Sequence, residues 1–389
     1  MPGRRPTPLM LALAATLLCL LGTSTPAPAA PQALPSRTDT AAQDLASRTD
    51  TAAQDLASRT DTAAQDRASR TDTGPQPPPP RSGTAPQDLA SRTDTAPQPP
   101  PFWADPQADA ARQVAAWRAE GRAADAELLA ERIARHPTAT WLADPDPVAP
   151  IRRAVRGAAA RGQTVVLVAY RVPHRDCGLY SAGGARDAAD YRRWIDRFAD
   201  AIGDAPALVV LEPDAVPHIL DGCTPPEHHA ERYRLLSEAI ARLKKQPRTT
   251  VYLDAGHPAF VTEPWRLVPP LMRAGIAKAD GFAQNVSNFH TTKDVLAYGA
   301  RLGELLGGKH FVLDTSRNGS GPPDFREALA WCNPPGRTLG AAPTRSTGHP
   351  LADAYLWVKH PGDSDGECRG GPQAGHWWPE YALDLARRS

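Results

Sequence analysis

Cysteine is scarce in this chain, five among 389 residues, and no two stand in CxxC spacing, so a thiolate zinc site finds no support. No GxGxxG follows any apolar run, which removes the usual fingerprint of dinucleotide binding. An excess of charge of one sign is missing too. The formal net charge is +1, from 44 basic and 43 acidic residues, so there is neither a basic field for nucleic acid nor an acidic tail. The longest apolar run at the N-terminus, residues 9–21, is too short to span a membrane. These absences leave a neutral partner, or one read by local contacts, with no cofactor and no metal expected.

What is present divides the chain. Arg4 and Arg5, the apolar run, and small residues around Ala27 and Ala29 mark residues 1–29 as a secretory signal peptide, with a retained anchor as the alternative. SRTDT then begins at Ser36, Ser47, Ser58, Ser69 and Ser91, and proline crowds 77–80 and 99–101. Each copy offers little apolar surface beyond alanine, so residues 30–101 read as a disordered, PPII-rich repeat linker or stalk with threonines placed for O-glycosylation. Residues 102–389 carry mixed charge and are long enough for one large core. Once Cys19 leaves with the signal peptide, Cys177, Cys223, Cys332 and Cys368 remain. An even number in a secreted chain favours two disulfides.

Apolar runs recur at 164–170, 207–211, 249–253, 281–286, 310–313 and 354–358, with a shorter one at 140–142. Between them lie stretches with helical patterning, such as ADYRRWIDRFADAI and HHAERYRLLSEAIARL. Strand alternating with helix means parallel strands covered by helices. About seven such repeats in one domain favour an α/β architecture, a closed or nearly closed parallel β/α barrel, over an open sheet. Polar groups gather where the runs end: Asp176, then Glu212 and Asp214, Asp254 and His257, Asn285 and Asn288, Asp314 with Arg317 and Asn318, and finally Lys359, Asp363 and Asp365. In such barrels the C-terminal rim carries catalysis. Any single carboxylate there also suits a helix N-cap, an explanation that fits the whole set poorly.

The segment ALVVLEPDAV, residues 207–216, leads a buried strand into two carboxylates around Pro213. A carboxyl held there, near Asp176 and Asp365, meets like charges and partial burial. Both raise its pKa, so Asp214 keeps a proton for general acid catalysis. Several carboxylates without a metal motif point to glycoside hydrolysis. The segments VAYRVPHRDCG, VVLEPDAV, VYLDAGH, NVSNF, DTSRNGSGP, WCNPPGRTLG and AYLWVKHPGDSDGEC, in that order, resemble the motifs of glycoside hydrolase family 6, the inverting cellulases.

The resemblance implies a distorted β/α barrel that cuts β-1,4-glucan with inversion. Asp214 is then the general acid, Asp176 keeps it protonated and serves a water chain, and Asp365 is the candidate base. Trp103 and Trp331 resemble sugar platforms, Tyr170 presses on the distorted sugar, and Ser181 resembles a water-binding serine. Asp254, His257, Asn285, Asn288, Arg317, Lys359 and Asp363 line the subsites. For each of these a structural role is the alternative, for instance a core position for Trp331 or a rim ion pair for Asp314 or Arg317. His174, His228, His229 and His310 match no motif and read as surface or satisfied core residues. Of three possible connectivities, Cys177 with Cys223 and Cys332 with Cys368 tie loops at one rim.

Three departures stand out. Phe260 and Glu263 occupy positions where the family commonly has tryptophans, with Trp265 nearby, and Asp363 replaces the usual glutamate. The short segment 363–377 leaves little chain to roof a tunnel, which favours an open cleft and internal cleavage. The expectation is a secreted, monomeric endo-β-1,4-glucanase, with no membrane contact after signal removal and wall association left open. A cellobiohydrolase, a glucan-binding protein without turnover and a stalked surface protein are the alternatives.

Overall fold

The computed structural model describes residues 101–389, Leu179 and Ala328 excepted; the signal and linker readings fall outside these residues. Seven strands pair in sequence order and all in parallel. They are β1 (Thr140–Leu142), β2 (Val165–Ala169), β3 (Ala207–Leu211), β4 (Thr249–Asp254), β5 (Gly281–Gln284), β6 (His310–Asp314) and β7 (Ala352–Leu356). The sheet curls into an incomplete barrel. Between β7 and β1 no ladder forms, and the seam is crossed by Ala139 N–H donating to Trp357 O at 3.0 Å and Trp141 Nε1 donating to Val358 O at 2.7 Å.

The helices are α1 (Asp109–Ala119), α2 (Ala123–Leu129), α3 (Val148–Ala159), α4 (Ala188–Ile202), α5 (Pro217–Leu220), α6 (Pro226–Leu243), α7 (Val268–Arg273), α8 (Thr292–Leu305) and α9 (Pro379–Arg388). Every residue of β2 and β3 is buried, which is why these strands read as unbroken apolar runs and not as alternating ones. Val165, Leu167, Val209 and Leu211 pack outward against the helices, while Val166, Val168, Leu208 and Val210 fill the barrel. Helix α4 begins where the Asp187 side chain accepts the Asp190 N–H and stops at Gly203, whose φ of 58° needs no Cβ.

Strands β5 and β7 depart furthest from the sequence expectation, for local reasons. Strand β5 stops at Gln284, because Asn285 turns into the left-handed region at φ 62°. Strand β7 starts at Ala352, two residues before its apolar run, and polar Asp353 disguises that start. Its carboxylate accepts from Tyr252 Oη at 2.7 Å and meets His310 Nδ1 at 2.7 Å.

Trp103 corrects an expectation outright. It is 4% exposed and belongs to the helix-side core, its ring over Gly157 of α3, so it offers no face to a sugar. A Cβ at Gly157 would lie 2.4 Å from Trp103 Cζ2. Gly157→Ala is therefore expected to cost about 1–3 kcal/mol in denaturant unfolding with kcat unchanged. A variant as stable as the parent would contradict the core placement.

Candidate active site

The exit of β3 explains why a buried strand ends in two carboxylates. Glu212 is fully buried, and its carboxylate accepts Arg171 N–H at 2.8 Å and Val172 N–H at 2.8 Å. It pins the chain leaving β2 to the end of β3. Burial pushes Glu212 up to about 7, and the two backbone donors pull against that rise. Glu212 and Asp214 both sit in the left-handed region, at φ 48° and 67°, as do Asp176 at 55° and Cys177 at 48°. Such backbone costs about 1–3 kcal/mol per residue and persists only where surroundings enforce it.

Four carboxyls crowd this corner. Asp254 Oδ1 accepts the Asp214 N–H at 2.9 Å and the Gly256 N–H at 3.0 Å, while its buried Oδ2 has no partner. Burial raises both Asp254 and Asp214 above the usual carboxylate range; the Asp214 charge adds to the rise of Asp254, and Asp176 and Asp221 add to that of Asp214, against His218. Asp176 Oδ2 accepts Ser181 N–H at 2.6 Å, and its Oδ1 lies 3.8 Å from His218 Nε2. His218 Nδ1 in turn meets Asp221 Oδ2 at 3.1 Å. Tyr170 closes the corner. Its phenol is pushed up by burial and by Asp214 and Asp176, the Arg175 guanidinium covers its ring at 4.4 Å, and Trp141 meets it edge-on at 5.3 Å. The disulfide Cys177–Cys223 ties the loops that carry Asp176 and Asp221. Cys177, His218 and Cys223 lie close enough to hold a metal ion, but both sulfurs are spent on each other.

The exits of β6 and β7, at the same rim, are built around an anion. Asp365 Oδ2 accepts from Arg317 Nη1 at 2.8 Å and from Asn333 N–H at 3.0 Å, and Oδ1 lies 3.1 Å from Lys359 Nζ. Burial raises Asp365, but Arg317 and Lys359 outweigh it and hold the group below its ordinary value. Arg317 itself is fully buried and also donates to Ser287 O at 2.6 Å. Asp314 repeats the role of Glu212, accepting backbone N–H groups of Ser287, Ser316 and Lys359 at 2.9 Å each, so it is a clamp and not an ion pair. Ser364 stands in Gly-x-Ser-x-Gly spacing, yet it is fully buried and donates to Gly366 O and Pro372 O, so it is no exposed nucleophile. The disulfide Cys332–Cys368 braces this loop.

The two groups meet through aromatic rings. Tyr180, from the loop after Asp176, packs on Gly366, where a Cβ would lie 2.6 Å from its Cγ, and meets Trp331 edge-on at 5.8 Å. Trp331 is 37% exposed, so its core alternative falls. A second row runs from His218 to Phe260 at 5.3 Å, to His257 at 5.3 Å, to His290 at 4.9 Å and to Phe325 at 5.3 Å. Trp265 is 62% exposed.

Several expected sugar contacts turn out to be spent inside the protein. Asn285 is fully buried; its Nδ2 donates to Asp314 O and His290 O, and its Oδ1 accepts His290 N–H. Asp254 serves Asp214, and Arg317 serves Asp365, so neither lines a subsite directly. Asp363 pairs with His360 Nδ1 at 3.0 Å, leaving Oδ1 without a partner. Asn288 keeps Oδ1 on Phe289 N–H. His174 stacks on His228 at 3.9 Å, while His229 and His310 bond to Thr224 O and Asp353, as satisfied residues do.

The sequence model of glycosyl hydrolases family 6 matches residues 98–389. The chain belongs to that family. Endoglucanase A of Cellulomonas fimi is 41% identical over 292 residues, 74% of this chain and 61% of that protein. Endoglucanase 1 of Streptomyces sp. (strain KSM-9) is 43% identical over 268 residues, 67% of this chain and 72% of that protein. The family 6 chain thus spans 61% of the length of the first of these relatives. In structure it is similar to the endoglucanase Cel6 from Mycobacterium tuberculosis in complex with methyl-cellobiosyl-4-deoxy-4-thio-β-D-cellobioside. That match has TM-score 0.69 at 42% identity and covers 75% of this chain and 98% of that one. Among the described residues no helix is long and apolar enough to cross a membrane.

Sequence reasoning missed four residues of this family 6 site. Asn333 ties Asp365 to the disulfide loop through Ser364 Oγ and the carbonyls of Gly366 and Cys368. Its place beside Cys332 was the available signal. Tyr180, Phe325 and His218 stand in loops or a short helix with no periodicity to mark them.

Proposed function

We propose that this chain is a secreted, monomeric endo-β-1,4-glucanase that hydrolyses internal bonds of cellulose or a related β-glucan with inversion. In this reading residues 102–389 are the catalytic domain, released by the leader in residues 1–29 and carried on the linker of residues 30–101. The observation that supports it best is a contrast between two carboxyls. Asp214 is pushed toward its protonated form by burial and by Asp176 and Asp221, while Asp365 is held ionised by Arg317 and Lys359. Environments that push two acids apart give them different roles, here a proton donor and a fixed negative charge.

Asp214 then donates its proton to the glycosidic oxygen as the bond to the leaving sugar breaks. Water attacks the anomeric carbon from the opposite face, yields the α-anomer and gives up its proton through a water chain to the Asp176 carboxylate. Asp176, held by Ser181 N–H, stands beside Asp214 and orders the water chain. Both oxygens of Asp365 are engaged by cations and by Asn333, which suits a fixed charge facing the developing positive sugar better than a strong base. Trp331 supplies an exposed platform, Tyr170 the ring against the distorted sugar, and Ser181, His257, Asn288, Lys359 and Asp363 the polar lining.

Proton NMR of a β-glucan digest is the direct test. The α-anomer is expected to form first, together with a rapid fall in the viscosity of carboxymethylcellulose. A β-anomer formed first would sink inversion; soluble cellobiose without loss of viscosity would move the reading to a cellobiohydrolase; binding without products would leave a glucan-binding protein.

A further inference from the structure

His218 matches no motif used above, yet it lies at the centre of the acid corner. It is 8% exposed, and its backbone N–H donates to Asp214 O at 3.0 Å, so it stands one turn beyond the acid on α5. One ring nitrogen meets Asp221 Oδ2 at 3.1 Å and the other faces Asp176 Oδ1 at 3.8 Å. Asp221 is fixed in turn, because its Oδ1 accepts Cys223 N–H at 2.8 Å on the disulfide loop. We propose that His218 is a positioning residue of this active site: anchored by Asp221 and turned toward Asp176, it supplies the positive charge that sets where on the pH axis the carboxyl cluster works.

The groups that face this imidazole come from every element around it. Asp221 belongs to its own turn, Asp214 to the β3 exit, Asp176 to the β2 loop, and Asp254 to the β4 exit, with the Phe260 ring at 5.3 Å and the Cys177–Cys223 sulfurs, which do not titrate, alongside. A neutral imidazole there would leave four carboxyls to repel one another. Burial alone would lower the pKa of His218, but Asp176, Asp214 and Asp221 raise it to about 9. The protonated ring in return lowers Asp214, against the rise that burial and Asp176 impose. The inference rests on Asp214 being the general acid, and it adds what tunes that acid.

Removing a cation raises the pKa of each carboxyl around it. His218→Gln, which keeps a polar side chain without the charge, is therefore expected to move both limbs of the kcat/KM–pH profile upward by about one pH unit. His218→Lys restores a cation and returns the limbs most of the way. Asp221→Asn removes an anion and moves the limbs the other way. A residue that merely packs would lower kcat or stability with the limbs in place, and that result overturns the proposal. Should the His218 variants fail to fold, the imidazole can be titrated by NMR in the intact chain. A midpoint well above 6.5 supports the assignment, and one at or below it overturns the assignment. Activity retained by Asp214→Asn would defeat the acid reading itself, whereas an inactive Asp214→Asn with unmoved limbs in His218→Gln defeats this inference alone.

Discussion

Asp214→Asn is expected to lower kcat on carboxymethylcellulose by about 10²–10⁴-fold, the contribution of a positioned general acid. The substitution keeps the side chain's shape, and the backbone N–H that bonds Asp254 Oδ1 is untouched, so the fold has no reason to change. What disappears is the proton. An aryl cellobioside whose phenol leaves without protonation should accordingly lose far less activity than the polymer does. Equal losses on both substrates would argue that Asp214 positions sugar and does not donate a proton.

The same residue fixes a sign in the pH dependence. Its folded-state pKa is raised, so the productive protonated form is depleted as pH rises through that value, and activity falls on the alkaline side. The native state also binds this proton more tightly than the unfolded chain, so the group penalises folding increasingly as pH climbs from the unfolded pKa toward the folded one. Asp365 has the opposite sign. Its lowered pKa contributes stability that is present above the unfolded carboxylate range and is lost as pH falls through the folded value.

Arg317→Met should destabilise the protein by about 3–5 kcal/mol, read as a shifted denaturant midpoint, because it leaves a buried carboxylate short of its partner. Arg317 is fully buried, bonds Asp365 at 2.8 Å, and lies over the Phe289 ring at 4.4 Å. Lys359 at 3.1 Å remains and limits the loss. The deficit should shrink as pH is lowered and Asp365 takes up a proton. A deficit that is the same at every pH would mean that lost packing, and not the unpaired charge, carries the effect.

Much of the fold was legible because parallel strands buried on both faces leave a local signature: β2 and β3 are apolar at every position. The disulfide partners were legible too, since each cysteine lies in a loop that follows a strand exit. The strand start at Ala352 was not, because Asp353 breaks the apolar pattern and is compensated by His310 and Tyr252, far away in sequence.

The amino-acid sequence by itself determined the strand order, the family motifs and the carboxyls gathered at one rim, since each of these depends on residues close together along the chain. Only the tertiary structure decided which of those side chains are exposed and which are spent on internal partners. Trp103 went into the core and Trp331 to the surface, Asn285, Asp254 and Arg317 were consumed by internal partners, and His218 was drawn in among four acids. The physical reason is that burial and charge at these positions come from neighbours on other strands, such as Asp365 beside Arg317, 48 residues apart in the chain.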